Sequence, residues 1–388
     1  MLSMANPITS TVHDKLDNID IQILEALALH NPRNQTQIAA QLKMPRETVR
    51  SRIKRLHSHF SLYLQGNLYH TNIGLRKVMV IGEAKPGYEE LLFRCLKAND
   101  YWLYVSQCIS VPKCVATYGI PTGKEAEFEE FLSNLSKLEQ VANIDFLWST
   151  CIHNVNIVSV WYDKESGKWT FPWDSWLEEV QSSQGELPYT LIESNNYPQK
   201  ADWTDIIILK ELEKNCTVKL AKIAKMLKTN LQRVKYHYEN HVIGEQMFEG
   251  PQILADHYKG LSPDTAFFIF TFKNHENFTK FALSLLNKPF VRAMGKVYHK
   301  NQLFIRTYLP RNELRNFVDA LSKLVRGGFL ETYQYVIEDL TKTQRQTISY
   351  EFFKDNSWEY DNEKYLAKLH STVKQFINSD EFLLLVKQ

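Results

Sequence analysis

Apolar positions recur along the chain in the same order twice. Asp20-Ile-Gln-Ile-Leu-Glu-Ala-Leu27 sets against Asp205-Ile-Ile-Ile-Leu-Lys-Glu-Leu212. The same offset brings Ile38, Ala39, Leu42, Lys43 and Val49 against Ile223, Ala224, Leu227, Lys228 and Val234. The apolar members have helical spacing, which puts them on the buried faces of helices. Such a run at a fixed offset predicts an internal repeat of one module.

Each copy opens with three short helical patterns. In the first copy they run near Asp17–Leu29, Gln35–Leu42 and Pro45–His57, with Asn31-Pro32 stopping the first and Pro45 in the opening turn of the third. In the second copy they run near Trp203–Lys214, Val218–Leu227 and Asn230–His241, with Thr217 and Thr229 as candidate N-caps. Helices two and three are separated only by Lys43-Met44, and a small Ala39 or Ala224 lets two helices cross closely. That is the helix-turn-helix pattern.

Alternating and helical stretches follow. The first copy reads as strand (Arg76–Glu83), helix (Tyr88–Ala98), strands (Trp102–Ile109, Cys114–Gly119), helix (Lys124–Gln140) and strand (Ile144–Asn154). The second reads Ala266–Phe272, Glu276–Leu286, Val291–His299, Gln302–Leu309, Arg311–Val325 and Leu330–Glu338. The order is βαββαβ, a ferredoxin-like α+β module whose helices cover one sheet face and leave the other for a partner. Each copy then adds an extension, read as a strand, an aromatic turn and a helix: Val158–Tyr162 to Gln181, and Ile348–Phe353 to Asn378. The predicted architecture is a tandem of winged helix-turn-helix and ferredoxin-like units. Helix-turn-helix domains span 14–72 and 201–262, ferredoxin-like domains span 73–182 and 263–388, and a linker spans 183–200.

The chain has 388 residues and a formal net charge of +2, so a nucleic-acid surface has to be a local patch. Cys95, Cys108, Cys114, Cys151 and Cys216 include no C-x-x-C pair, and their odd number fits buried, reduced thiols. The first residues, MLSMANPITSTVHDK, do not read as a signal peptide, and no apolar run reaches the ~20 residues that span a bilayer. The expectation is a cytoplasmic chain without a membrane partner. Glu381-Phe-Leu-Leu-Leu-Val386 is apolar enough to seek a partner.

The local patch is the third helix. From Lys43 to His57 there are six Lys and Arg residues against one acidic residue. Val49, Ile53 and Leu56 make the buried stripe, so the basic residues flank or oppose it. Guanidinium forks read guanine edges, and other cations hold phosphates. Base contact is therefore expected from Arg46, Glu47, Arg50 and Ser51, with Thr48 alongside. Phosphate contact is expected from Lys43, Lys54 and Arg55, while Arg52 projects toward the buried stripe. In the second copy Gln232, Arg233, Lys235, Tyr236 and His237 are the candidates, although Leu231 and Glu239 replace Arg46 and Lys54.

Leu16-Asp-x-Ile-Asp-x-x-Ile-Leu24, Ile38-Ala, Thr48-Val-x-x-Arg-Ile-x-x-Leu56 and Asn72-Ile-Gly-Leu75 together resemble the Lrp/AsnC (feast/famine) regulators. The resemblance implies a winged-helix transcription regulator that binds double-stranded DNA, pairs through its sheets and often senses amino acids. Members usually carry one copy per chain, so two copies imply an intramolecular pseudo-dimer, open to further homodimerisation. Ser110-Val-Pro-Lys113 and His299-Lys-Asn301 stand where the family has a Gly-x-x-Asp-like turn, and no effector residues are assigned. Siroheme decarboxylases are similar in fold, but Val105-Ser-Gln-Cys108 stands where they carry a Ser-His-Cys-like motif, and their Trp-Pro-Tyr-Asn-like stretch is absent. With no P-loop, nucleophile elbow or metal cluster legible, the sequence predicts no enzyme, no cofactor and no metal. A siroheme-decarboxylase-like enzyme and a protein-binding scaffold are the alternatives.

Overall fold

The computed structural model describes residues 15–109, 111–194 and 196–378. The N-terminal leader, Ser110 and the apolar segment 381–386 lie outside them. Among the described residues no helix is long and apolar enough to cross a membrane.

The first half runs α1 (Asn18–Leu29), α2 (Gln35–Gln41), α3 (Arg46–His59), β1 (Tyr63–Leu68), β2 (Leu75–Ala84), α4 (Glu89–Leu96), β3 (Trp102–Cys108), β4 (Lys113–Pro121), α5 (Glu125–Ser136), β5 (Val141–Ser149) and β6 (His153–Asn154). A short hairpin, β7 (Tyr162–Asp163) with β8 (Lys168–Trp169), leads to α6 (Trp173–Ser182). The second half runs α7 (Trp203–Lys214), α8 (Leu220–Met226), α9 (Leu231–Tyr236), β9 (Phe248–Leu254), β10 (Pro263–Thr271), α10 (His275–Leu285), β11 (Val291–Lys296), β12 (Gln302–Pro310), α11 (Arg311–Arg326) and β13 (Thr332–Arg345). Hairpin β14 (Phe353–Lys354) with β15 (Ser357–Trp358) precedes α12 (Asn362–Ile377).

Local chemistry sets the helix ends. Asp17 and Asp20 close a reciprocal capping box on α1, and Asp202 with Asp205 does so on α7. The expected caps at Thr217 and Thr229 are not used. Thr217 bonds to Asn215, and Asn230 caps α9 by accepting from the Arg233 amide at 2.8 Å. The third helix of the second half is not a continuous α-helix: after Tyr236 it widens into a π-helical stretch, His237–Ile243. The two extensions also form little strand. Only Tyr162–Asp163 and Phe353–Lys354 pair, each within a hairpin, and Tyr350–Phe352 is a 3₁₀ turn.

Nine of the strands form one ladder, β5-β2-β4-β3-β13-β10-β12-β11-β6, antiparallel throughout. Two strands join the halves. β13 pairs first with β10 and then with β3, setting Arg345 against Tyr104. The chain leaving β5 runs on into β6, which pairs with β11. β5 and the two-residue β6 stand at the two ends of the ladder. Met79, Val115, Phe267, Ile269, Val297 and Phe304 fill the space between the two inner faces.

Packing exchanges the ends of the halves. α6, with Trp176 and Val180 buried, packs in the core of β10–β13 with α10 and α11. α12 brings Tyr365, Leu369 and Phe376 into the core around α4 and α5. β1 pairs antiparallel with β9. Gly66 on β1 lies so close to α7 that a Cβ there would sit 2.7 Å from the Leu212 carbonyl oxygen. The boundaries at 182 and 388 follow the chain, whereas the buried aromatic faces of the extensions settle on the opposite half. The segment taken as a linker is packed as well. Leu191 and Thr190 are buried, His153 bonds to Thr190 at 2.9 Å, and Glu193 pairs with Lys296.

Candidate functional site

The expected DNA-binding residues fall into two groups. Lys43, Arg46, Glu47, Arg50, Ser51 and Lys54 are exposed along α3 and the turn before it, and Thr48 is half-buried. Arg50 pairs loosely with Glu47 at 3.8 Å. Arg55 departs from the expectation. Its guanidinium is bonded to the wholly buried Asp20 and to the Lys15 carbonyl, so it ties α3 to α1. Arg52 joins the same clamp at 3.2 Å from Asp20. A buried carboxylate has to be paired, and this recruits the nearest arginines inward. In the second half Gln232, Arg233, Lys235 and Tyr236 are exposed, but His237 is buried and faces Asp205 at 2.9 Å, which removes it from any outer surface.

A large concavity lies elsewhere. A cavity of about 730 Å³ is lined by residues of the nine-stranded sheet and of the β1–β9 pair. Side chains alternate along strands, and the inner stripe changes character here. Two positions from Met79 on β2 stands Lys77, and two from Val115 on β4 stands Thr117. Two from Phe267 on β10 stands Thr265, and two from Phe304 on β12 stand Arg306 and then Tyr308. β3 adds Tyr104, β13 adds Arg345 and β11 adds Arg292. The β1–β9 pair and α7 cover the opening with Gln65, Asn67, Gln252 and Glu213.

The cations differ in how they are satisfied. Arg306 binds both oxygens of the buried Glu338, at 2.8 and 3.2 Å, and lies 3.9 Å over the Tyr104 ring. Arg292 donates one bond to the Ala255 carbonyl at 2.8 Å and stacks on Tyr308 at 4.4 Å. Its Nη1 is buried and, among the described residues, reaches no acceptor. Burial lowers the Arg292 guanidinium to about 10, whereas Arg345 is exposed. Among the described residues neither forms an ion pair.

Lys77 is buried too, with its Nζ 3.1 Å from His70 Nε2. Burial lowers its ammonium to about 8, opposed by the charge of Glu213, and burial lifts Glu213 itself to about 7. His70 is held well below its usual value by burial and by Lys77. It is therefore neutral. Its Nδ1 sits 2.9 Å from the Leu68 carbonyl, so Nδ1 carries the hydrogen and Nε2 accepts from Lys77.

None of these cavity residues was singled out from the sequence. The available signal was a cation within an otherwise apolar strand, Lys77 beside Arg76 on β2 and Arg306 in Leu303-Phe-Ile-Arg-Thr-Tyr308. The cysteines add no reactive thiolate: all are free, and burial pushes Cys95, Cys108 and Cys216 up to about 12.

Comparison with known proteins gives two kinds of match. Residues 16–57 match the AsnC-type helix-turn-helix domain. The fold of nearly the whole chain is similar to that of the siroheme decarboxylase NirDL. That match has 10% identity and TM-score 0.50, covering 92% of this chain and 99% of the other. AsnC-family regulators match over a third of the chain or a little more. One from Pyrococcus furiosus is 22% identical, covering 34% of this chain and 88% of its own with TM-score 0.29. E. coli AsnC is 17% identical, covering 38% and 96% with TM-score 0.28. No curated protein matches the chain. The expectation that the chain is not an enzyme does not stand against the end-to-end likeness, because the structure sharing the fold is that of an enzyme.

Proposed function

We propose that the chain is an enzyme of the siroheme-decarboxylase type, acting on a tetrapyrrole polycarboxylate held in the central cavity. The observation that carries this reading is Arg292, a buried cation with an unspent donor at a cavity that also receives Arg306, Arg345 and Lys77. Uncompensated buried charge is costly, so such a group is best understood as waiting for an anion. Guanidinium forks match carboxylates in shape, and several converging on one cavity suit a ligand bearing several of them. The cavity volume lies within the range of small-molecule sites.

The chemistry follows from the same residues. In decarboxylation of an acetate side chain, the bond between the methylene and carboxylate carbons breaks. The electron pair stays on the methylene carbon, carbon dioxide leaves, and a proton takes its place. Arg292 and Arg345 would hold the carboxylates that remain. Lys77 can give the proton, since an ammonium lowered to about 8 donates readily near neutral pH, and neutral His70 orients it. The test is to mix the purified chain with siroheme and follow both absorbance and product mass. Binding with loss of carbon dioxide supports the reading. Neither binding nor turnover with siroheme and related polycarboxylates overturns it.

The exposed row Lys43, Arg46, Arg50 and Lys54, within the matched helix-turn-helix, favours a second reading in which the same chain also binds double-stranded DNA through α3. The two readings use separate surfaces. We further infer that the two halves are copies of one module joined as a pseudo-dimer. The paired capping boxes, the two βαββαβ series and the reciprocal exchange of α6 and α12 support this.

A further inference from the structure

We propose that Asp202, Asp205, His237 and His241 form a structural zinc site that pins the third helix of the second helix-turn-helix to its first. The first helix-turn-helix gives the baseline. There Asp17 and Asp20 at the start of α1 meet Arg52 and Arg55 from α3, and permanent cations neutralise the buried carboxylate. At the start of α7, Asp202 and Asp205 stand in the same capping box, but among the described residues no arginine reaches them. The side chains opposite are imidazoles.

Asp205 is wholly buried, and each of its oxygens faces a ring nitrogen. Oδ1 lies 2.9 Å from His237 Nδ1, and Oδ2 lies 3.1 Å from His241 Nδ1. Asp202 Oδ2 is 3.6 Å from His237 Nδ1, and the four ligand atoms all fall within 4.8 Å of one another. In a tetrahedral zinc site with bonds of about 2.0–2.2 Å, neighbouring ligand atoms are about 3.3 Å apart. The observed separations bracket that spacing. The donor set of two imidazole nitrogens and two carboxylate oxygens is that of zinc-class cations.

Charge points the same way. A divalent cation among these side chains would balance two carboxylates, one of them fully buried. The π-helical stretch that begins at His237 carries both histidines, whose ring centres are 4.8 Å apart. Asp202 and His241 are partly exposed and leave a route for the ion, while His237 and Asp205 close the inner side. Four protein ligands leave no open coordination position, so the role is structural.

The test uses the full-length chain, stripped with chelator and titrated with zinc alone. The informative variant is His237→Asn with His241→Asn, which keeps a donor toward Asp205 but removes both ring ligands. Wild type is expected to retain one zinc per chain after dialysis and to show a higher unfolding midpoint with zinc than without. The double variant should keep the same circular dichroism, retain no stoichiometric zinc and show no zinc-dependent shift. Cobalt substituted in wild type should give the visible absorption of a tetrahedral site. The proposal fails if wild type retains no zinc, or if the double variant retains it equally. His241→Ala alone, a change at a partly exposed position, should weaken zinc binding by at least tenfold. That keeps the test decisive even if the double variant does not fold.

Discussion

The guanidinium of Arg292 lies 4.4 Å from the ring centre of Tyr308, and its Nη1, although buried, has no acceptor among the described residues. Tyr308 in turn bonds to Asp256 Oδ1 at 2.6 Å, so the ring that carries the guanidinium is itself held in place. Arg292 is thus a rigidly mounted cation that the fold leaves unneutralised. Arg292→Met should lower affinity for a polycarboxylate in the cavity by about 2–5 kcal/mol, the usual cost of truncating one partner of a buried charge pair. It should leave the stability of the ligand-free protein unchanged or slightly raised, because a desolvated charge is lost. Ligand titration beside chemical denaturation separates the two effects. A large loss of stability would make Arg292 a structural residue instead.

Arg306 makes the contrast, since it is matched by Glu338. Arg306→Met should destabilise the protein by about 3–5 kcal/mol, because it strands a buried carboxylate. Adding Glu338→Met should restore most of that loss. A double-mutant cycle in denaturant measures this, and strict additivity would show that the pair is not coupled.

Glu249 gives a pH signature. Burial raises its carboxyl to about 7, and one of its oxygens is unpartnered. Its folded value lies above its unfolded one, so its contribution is fully present below about pH 4.5 and is lost as pH rises through about 7. Glu249→Gln should therefore leave stability nearly unchanged at pH 4 and raise it by about 2–3 kcal/mol above pH 7. Denaturation midpoints of both proteins across this range test it, and parallel curves would refute the shift.

The DNA reading separates α3 into outward and inward cations. Arg46→Ala with Arg50→Ala should weaken DNA retention by about 1–3 kcal/mol per lost base contact without unfolding the domain. Arg55→Ala should destabilise the helix-turn-helix by leaving Asp20 with Arg52 as its one remaining arginine, and should act on DNA only through that loss. Retention against salt, with thermal unfolding alongside, distinguishes them. Equal retention by wild type and the Arg46, Arg50 double variant would end the proposal that α3 reads DNA.

How far the sequence could be read depends on distance along the chain. The helix-turn-helix of residues 16–57 was legible, because Val49, Ile53 and Leu56 mark one helical face and Asp17 caps α1 within four residues of itself. The βαββαβ order was legible from local alternation. Arg55 and His237 were misread as groove contacts for one reason: each turns toward a carboxylate on the first helix of its own unit, more than thirty positions away, and helical periodicity does not register that pairing.

By itself the sequence determined the main helices, the βαββαβ order and the basic face of α3, since these depend on neighbours within a few turns. The tertiary structure decided what those elements enclose. Lys77, Arg292, Arg306 and Arg345 meet only because β13 leaves one sheet to pair with β3 and the chain after β5 crosses to β11. Asp202 and Asp205 meet His237 and His241 only because the third helix folds back on α7. In both places charged groups from distant segments are brought together, some of them out of water. The cost of burying them unpaired, which no single stretch of sequence records, selects what each site will bind.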